Sequence, residues 1–481
     1  MRIVLTFVLN AGLNLALGLV IAGLLGPAEY GRFAVGSTIG VVLAMSLFDW
    51  LRLSATRFYG EGSRTADPAI RTTLNASYIG LSGLLVAVAA LAAVLQLDFG
   101  LGAALLAAAA LSGLSNGLFD FYAALARARF LDRTYARLVI IKNVLAFAMG
   151  VGAAVATHDP AWALAASSLG AILAVLPVHA GLRDGDTGSK RGSLVHLRSF
   201  AAYGFPVVAA NIVFQVVILA NRASAASAFG YADSGQLSLA TDMSLRLFLA
   251  IGSAIDVLLF QLAVRAEAEG ERGAAEAQLR FNAVAVTAVL TLLATGYAMT
   301  LPAFTQLLVP VHYRSDFARL TMLLLPGLLL FSIAQFAINP MFQVARRTGP
   351  VLAASGVAIL CDAIGLACLL SSARIGGVAL VHGASLAVSS VALTIVALRK
   401  PAHRPALADG VRIASAAALA ALAMWPLRAI GPPWLSLGLG TLVGTLVFGT
   451  AAILFDLAGL RGRLLSRLSG KMSGPLLRPT A

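Results

Sequence analysis

The sequence predicts an all-α polytopic membrane protein: about fourteen transmembrane helices, two parallel-related six-helix bundles plus two C-terminal helices. Three observations predict it. The 481 residues are 59% hydrophobic and 12% charged, with a mean hydropathy of +0.89, where a soluble domain carries roughly twice that charge. Apolar runs of about 20 residues, the length needed to cross a bilayer, recur from end to end with short polar joints between them. The chain also repeats itself at an interval of six runs.

The first run, 3 to 25, opens on a single Arg2 and continues apolar without an A-x-A cleavage site, so it reads as an uncleaved first span. Spans 2 to 6 follow at 33 to 57, 74 to 96, 100 to 126, 138 to 157 and 160 to 181. Spans 7 to 12 lie at 203 to 221, 234 to 264, 280 to 301, 317 to 343, 349 to 371 and 375 to 398, and spans 13 and 14 at 410 to 430 and 434 to 457. The domains expected from this count are a six-helix bundle over 1–200, a second over 201–400, two additional helices over 401–460 and a basic tail over 461–481.

Basic residues test the count, because short cytoplasmic loops collect Lys and Arg. With both termini inside, 27 of the 35 Lys and Arg are assigned to the cytoplasmic side, including Arg127, Arg129, Arg133, Arg137 and Lys142. Six fall on the other side, Arg222 among them, and two, Arg52 and Arg246, lie within spans. The net charge of +14 is therefore mostly a topology signal. A nucleic-acid partner would need a basic face on a soluble domain, and the composition provides no such domain. The tail suits either an interfacial helix on anionic membrane lipid or a disordered positive segment.

Residues 25 to 35, "LGPAEYGRFAV", and 229 to 239, "FGYADSGQLSL", align at an offset of 204, matching Gly26 with Gly230, Glu29 with Asp233 and Gly31 with Gly235. Each joins an odd span to an even one. Six is an even number of crossings, so the repeats enter the membrane with one orientation and are related by an axis along its normal. Gly26 and Gly230 stand where an αL helix stop favours glycine, and Pro27 cannot continue the helix before it.

These stretches, with "YAALARARFLDRTYARL" after span 4 and "FQVARRTG" after span 10, resemble the polysaccharide-transporter branch (O-antigen and exopolysaccharide flippases) of the multidrug/oligosaccharidyl-lipid/polysaccharide exporter superfamily. The chain departs from that pattern at Asn221, where an Asp usually precedes the Arg. The resemblance implies a transporter and not an enzyme, placed in the bacterial inner membrane. Its implied cargo is an undecaprenyl-pyrophosphate oligosaccharide moved by alternating access, with membrane lipids and a polysaccharide polymerase or export machinery as candidate partners. A MATE-type drug or cation antiporter and a flippase for the peptidoglycan lipid precursor remain the alternatives. A membrane glycosyltransferase or polymerase would need a sizeable outer loop, and the longest here, about 302 to 316, is short.

Polar residues inside spans are costly and mark candidate sites. Span 1 carries Asn10 and Asn14, and span 7 carries Asn211 and Gln215, each pair one helical turn apart. Span 2 carries Asp49 and Arg52, and span 8 carries Asp242, Arg246 and Asp256. Either pair, Asp49 with Arg52 or Asp242 with Arg246, is close enough along one helix to neutralise itself, but both fall in equivalent spans of the two halves. An anionic pyrophosphate leaving water needs cations, and Arg52, Arg222 and Arg246 are the arginines on those spans, guanidinium being always charged and bidentate. Asp49, Asp242, Asp256 and, more weakly, Asp120 and Asp362 are candidates for coupling to H⁺ or Na⁺. His179 and His382 read as interfacial or packed. Cys361 and Cys368, seven residues apart, read as small apolar side chains in a bundle. No P-loop, metal-ligand spacing or hydrolytic triad is present, so neither cofactor nor metal is expected.

Overall fold

A computed structural model describes residues 2–97, 100–183, 192–268, 273–345, 347–369 and 374–461, without the side chains of 2–11, 61, 64, 65, 257, 258, 267 and 268. The expectations for the basic tail fall almost wholly on 462–481, outside this description.

Every long element described is an α-helix, and 13 of them are long and apolar enough to cross a membrane. The first, Arg2–Phe58, has 57 residues, far more than one crossing needs, and is two spans joined at Gly26. That brings the crossings to fourteen. Gly26 has φ 74° and ψ 172°, and Gly230, at the matching turn, has φ 90° and ψ 166°. The expected αL stop is therefore replaced by an extended ψ at positive φ, a region essentially open to glycine alone. One glycine thus ends a helix and lets the next begin at once.

Span 3 is Ala69–Val94, span 4 Ala103–Ala128 and span 5 Asp132–Thr157. Span 6, Pro160–Leu173, starts after a tight turn that Asp159 caps: its Oδ1 accepts from the backbone N–H of Ala161 at 2.7 Å. Span 7 is Leu194–Phe229, span 8 Tyr231–Ala268 and span 9 Ala274–Leu308. Span 10 runs from Arg314–Ile333 through a π-helical turn, Ala334–Ile338, into Asn339–Val344. Spans 11 to 14 are Gly349–Leu369, Ile375–Ala397, Leu407–Met424 and Pro433–Leu454.

Span 5 corrects the sequence reading. It begins at Asp132 rather than 138, and Lys142, which the charge tally placed on the cytoplasmic side although 138 to 157 already contains it, lies ten residues inside the helix, about 15 Å along its axis. Lys142 therefore leaves the cytoplasmic tally and becomes an intramembrane cation.

The chain packs as two compact units, one of residues 1–250, 308–331 and 346–393, the other of 251–307, 332–345 and 394–481. In the first, Trp50, Leu51 and Tyr59 of span 2 are buried with Phe121 to Ala126 of span 4 and Phe200 of span 7, and the Trp50 and Phe205 rings stack at 5.1 Å. The second has an alanine-rich core that joins Val284 and Ala288 to Ala416, Ala420, Phe448 and Ala451. Lipid offers no hydrophobic drive to helix association, so such small residues, by allowing close dispersion contact, supply the adhesion. Span 3 is the most outlying helix, with 6% of its most apolar window buried. Its exposed Ile79, Leu84, Val86 and Leu91 are suited to lipid chains.

The repeat reappears as a contact inside the first unit. A Cβ on Gly31 would collide with the Tyr231 carbonyl and lie 3.0 Å from the Gly235 nitrogen, and a Cβ on Gly235 would collide with the Pro27 carbonyl and lie 3.1 Å from the Gly31 nitrogen. Pro27 and Tyr231 are themselves equivalent at the offset of 204, so the contact is reciprocal. These glycines are thus required by a helix crossing as well as by sequence similarity of two turns. Gly31→Ala and Gly235→Ala are each expected to cost about 1–3 kcal/mol by overpacking. Gly152→Ala, where a Cβ meets nothing within 4 Å, is expected to be neutral or slightly stabilising. Thermal unfolding of the three variants in detergent checks this, and equal melting of all three would refute it.

Candidate functional site

Two cavities inside the first unit collect the polar residues of its spans. The first, of about 200 Å³, is lined by Asn14, Tyr30, Asn116, Lys142, Asp242 and Arg246 among others. The second, of about 280 Å³, is lined by Asp49, Arg52, Asn116, Asp120 and Asn211 among others. Val41 and Asn116 line both, so the cavities adjoin.

The structure sorts the three candidate arginines by their partners. Arg52 grips Asp49 with two hydrogen bonds, Nε to Oδ1 and Nη2 to Oδ2, the latter at 3.0 Å. The local i,i+3 pair expected as the neutral alternative therefore forms, and it forms in a cavity wall. Arg222 is buried at 5% exposure, pairs with Asp242 through Nη2, and donates from Nη1 to the Ala34 carbonyl at 3.0 Å and the Thr38 hydroxyl at 2.6 Å. It lines neither cavity. Its fork is committed to bracing spans 2, 7 and 8.

Arg246 is left without the carboxylate that helical spacing offered it. The i,i+4 pairing of Asp242 with Arg246 is not made, because Arg222 of the neighbouring helix takes Asp242, whose other oxygen faces the Tyr30 hydroxyl at 3.4 Å. Arg246 instead donates from Nη1 to the Asn14 carbonyl, and Gly18 makes room for it, since a Cβ there would lie 3.3 Å from that nitrogen. Lys142 lines the same cavity with its ammonium 5.1 Å from the Phe119 ring centre. Among the described residues, neither Arg246 nor Lys142 makes an ion pair. The two cations repel each other across a low-dielectric cavity, Asp120 acts on Lys142 through space with the opposite sign, and a further anion between the cations relieves the cost of their burial.

The second cavity has the opposite balance. Asp49 and Arg52 cancel, and Asp120 adds a carboxylate. A chamber lined by Lys142 and Arg246 thus adjoins one with an additional acidic side chain, Asp120.

Asn14 lines the first cavity and Asn211 the second, whereas Gln215 lines neither. The Asn10 side chain is outside the described residues. Asp256, half-buried, belongs to the second unit and lines neither cavity. The residues that sequence reasoning missed are Asn143 and the span 4 residues Ser112, Ser115 and Asn116, which form a polar stripe with the coupling candidate Asp120, and Lys142, which the charge tally assigned to the cytoplasmic side. The stripe's spacing of three, four and eight residues along an alanine-rich helix was the available signal. Cys361 and Cys368 are both free thiols.

No protein-family model and no curated protein matches the chain. Solved structures do. The lipid II flippase MurJ, in an inward closed conformation, superposes with a TM-score of 0.73 over 96% of this chain and 99% of its own, at 13% identity. The chain has the fold of the MOP superfamily. A MATE transporter of Vibrio cholerae matches at a TM-score of 0.53 and 12% identity, covering 83% of this chain and 94% of its own. A multidrug-resistance MATE transporter of the MOP superfamily, facing inward, matches at 0.51 and 14% identity over 83% and 94%.

Proposed function

We propose that this protein is a flippase that carries a lipid-linked oligosaccharide, anchored through a pyrophosphate, across the bacterial inner membrane for surface polysaccharide synthesis. Both termini are cytoplasmic, and the two six-span bundles alternate access to the cavities. The observation that carries this reading is the pair of unpaired cations, Arg246 and Lys142, at one intramembrane cavity. A cationic drug would meet repulsion there, whereas a diphosphate has two anionic groups for two cations. The fold shared with a lipid II flippase over nearly its whole length is in keeping with a lipid-linked cargo, and the peptidoglycan precursor, itself a lipid-linked diphosphate, satisfies the same cations. Asp49, Asp242 and Asp256, with Asp120 and Asp362 as weaker candidates, are the acids open to H⁺ or Na⁺ coupling in this reading.

Vesicles containing the purified protein and fluorescent undecaprenyl-diphosphate oligosaccharide test it, with a neutral glycolipid as the control. The expected result is translocation of the diphosphate lipid alone. Lys142→Met is expected to weaken its binding by about 1–2 kcal/mol, roughly 5- to 30-fold, through the loss of one charge-assisted contact. Equal transport of both lipids would refute the reading.

A further inference from the structure

The two adjoining cavities offer different hydrogen-bonding groups. The charged groups of the first are the donors Lys142 and Arg246, together with Asp242, whose two oxygens face Arg222 and Tyr30. The second cavity adds open acceptors. Asp120 lines it and, among the described residues, makes no hydrogen bond or ion pair; Arg52, Asp49, Lys142 and Arg127 reach it through space. Asn116 directs its amide nitrogen at Ser112, to the carbonyl at 2.9 Å and the hydroxyl at 3.3 Å, and its Oδ1 makes no hydrogen bond among the described residues. Asn211 is exposed, and its side chain makes none either. Asp49 takes Nε and Nη2 of Arg52, which leaves Nη1 as a further donor. The rest of the lining is apolar: Val41, Ala44, Met45 and Phe48, whose ring Gly117 admits, since a Cβ there would collide with it.

An ionised phosphate brings acceptors only, and in the second cavity it would meet the oxygens of Asp120 and Asn116 without a hydrogen to share. A hydroxyl both donates and accepts. A pyranose sets several hydroxyls around a ring whose C–H faces are apolar, and a lining of few polar groups beside an apolar wall matches that pattern. The volume of about 280 Å³ is just below the roughly 300–1,000 Å³ of pockets that hold drug-sized ligands, a size for one ring rather than a chain.

Covalent geometry ties the two cavities together. In a lipid-linked glycan the anomeric carbon of the first sugar is joined to the diphosphate through one oxygen. A diphosphate between Arg246 and Lys142 therefore sets that sugar at the edge of the first cavity, and the second shares Val41 and Asn116 with it. Resting on the cargo reading above, we infer that the second cavity seats the first sugar ring, with Asp120 and Asn211 binding its hydroxyls and Asn116 at the junction of sugar and phosphate. Asp120 and Asn211 are then specificity residues. A ring that presents no hydroxyl to them leaves polar groups of the cavity unpaired, and is selected against for that reason.

The test measures binding of two lipids to the purified full-length protein, undecaprenyl diphosphate and the same lipid bearing one glucose. The ratio of their dissociation constants reads the share of the sugar. In the unaltered protein it is expected to favour the glycosylated lipid by about tenfold or more, the worth of a hydrogen bond to a charged group. Asp120→Ala and, at the exposed position, Asn211→Ala are each expected to lower the ratio by about threefold or more. Lys142→Met is expected to weaken both lipids alike and leave the ratio standing. Because each ratio is taken within one variant, an influence of Asp120 on the diphosphate through Lys142, or through a coupling ion, cancels from it. A ratio near one in the unaltered protein overturns the proposal, and so does a ratio that survives either alanine substitution. Failure to bind either lipid refutes the cargo reading, whereas tight and equal binding of both leaves that reading standing and refutes the sugar seat alone.

Discussion

Arg246→Ala is expected to abolish translocation of a diphosphate-linked oligosaccharide while protein level and membrane insertion stay normal. Among the described residues, Arg246 lines the cavity and donates to a backbone carbonyl, that of Asn14, and to no carboxylate, so its loss strands none of them. The structural cost is therefore small and the functional cost large. Charge-assisted hydrogen bonds in a desolvated site contribute about 2–4 kcal/mol, which corresponds to binding weaker by roughly 30- to 700-fold. Arg246→Lys keeps the charge but loses the fork, and is expected to recover part of the activity. The measurement is transport of labelled lipid into vesicles beside surface-polymer formation in cells. Normal polymer in the Arg246→Ala strain would sink the assignment of this residue to the cargo.

Arg222→Ala is expected to fail in the opposite way, by loss of stability. Arg222 is buried and its guanidinium serves Asp242, Thr38 and the Ala34 carbonyl. Removing it leaves a carboxylate unpaired in the bundle, which costs about 3–5 kcal/mol when such a pair is broken from one side. The double variant Arg222→Met with Asp242→Asn removes both charges and is expected to regain most of that loss. Melting temperatures of the two variants in detergent decide it. If the double variant melts as low as the single one, the brace is not electrostatic.

Most of the fold was legible in the sequence because hydrocarbon imposes its own length scale and because a helix satisfies its own backbone. The run lengths, the basic joints and the doubled "G-x-x-x-x-G" turn carry that information directly. The boundary of span 5 was not legible. Arg133, Arg137 and Lys142 depress a hydropathy window, so a count based on hydropathy starts the span at 138. The helix itself is indifferent to that polarity and runs from Asp132; Lys142 lies inside it as it does in a span from 138, and only the charge tally assigns it to the cytoplasmic side. The cargo site was legible as a set of helices rather than as a set of partners. Asp49 with Arg52 was readable because both partners sit on one turn.

The sequence by itself determined that the chain crosses a membrane about fourteen times, that it contains a repeat of six spans, and that spans 2 and 8 carry buried charge. Only the tertiary structure decided which charges remain free. Four residues along a helix, Arg246 was the obvious partner for Asp242, but the packing of span 7 against span 8 put Arg222 there first. A carboxylate neutralised by one guanidinium has little left to offer another, so Arg246 faces the cavity with Lys142 and, among the described residues, without an ion-pair partner. Competition of that kind acts between helices distant in sequence, and hydropathy, spacing and charge counts along the chain contain no record of it.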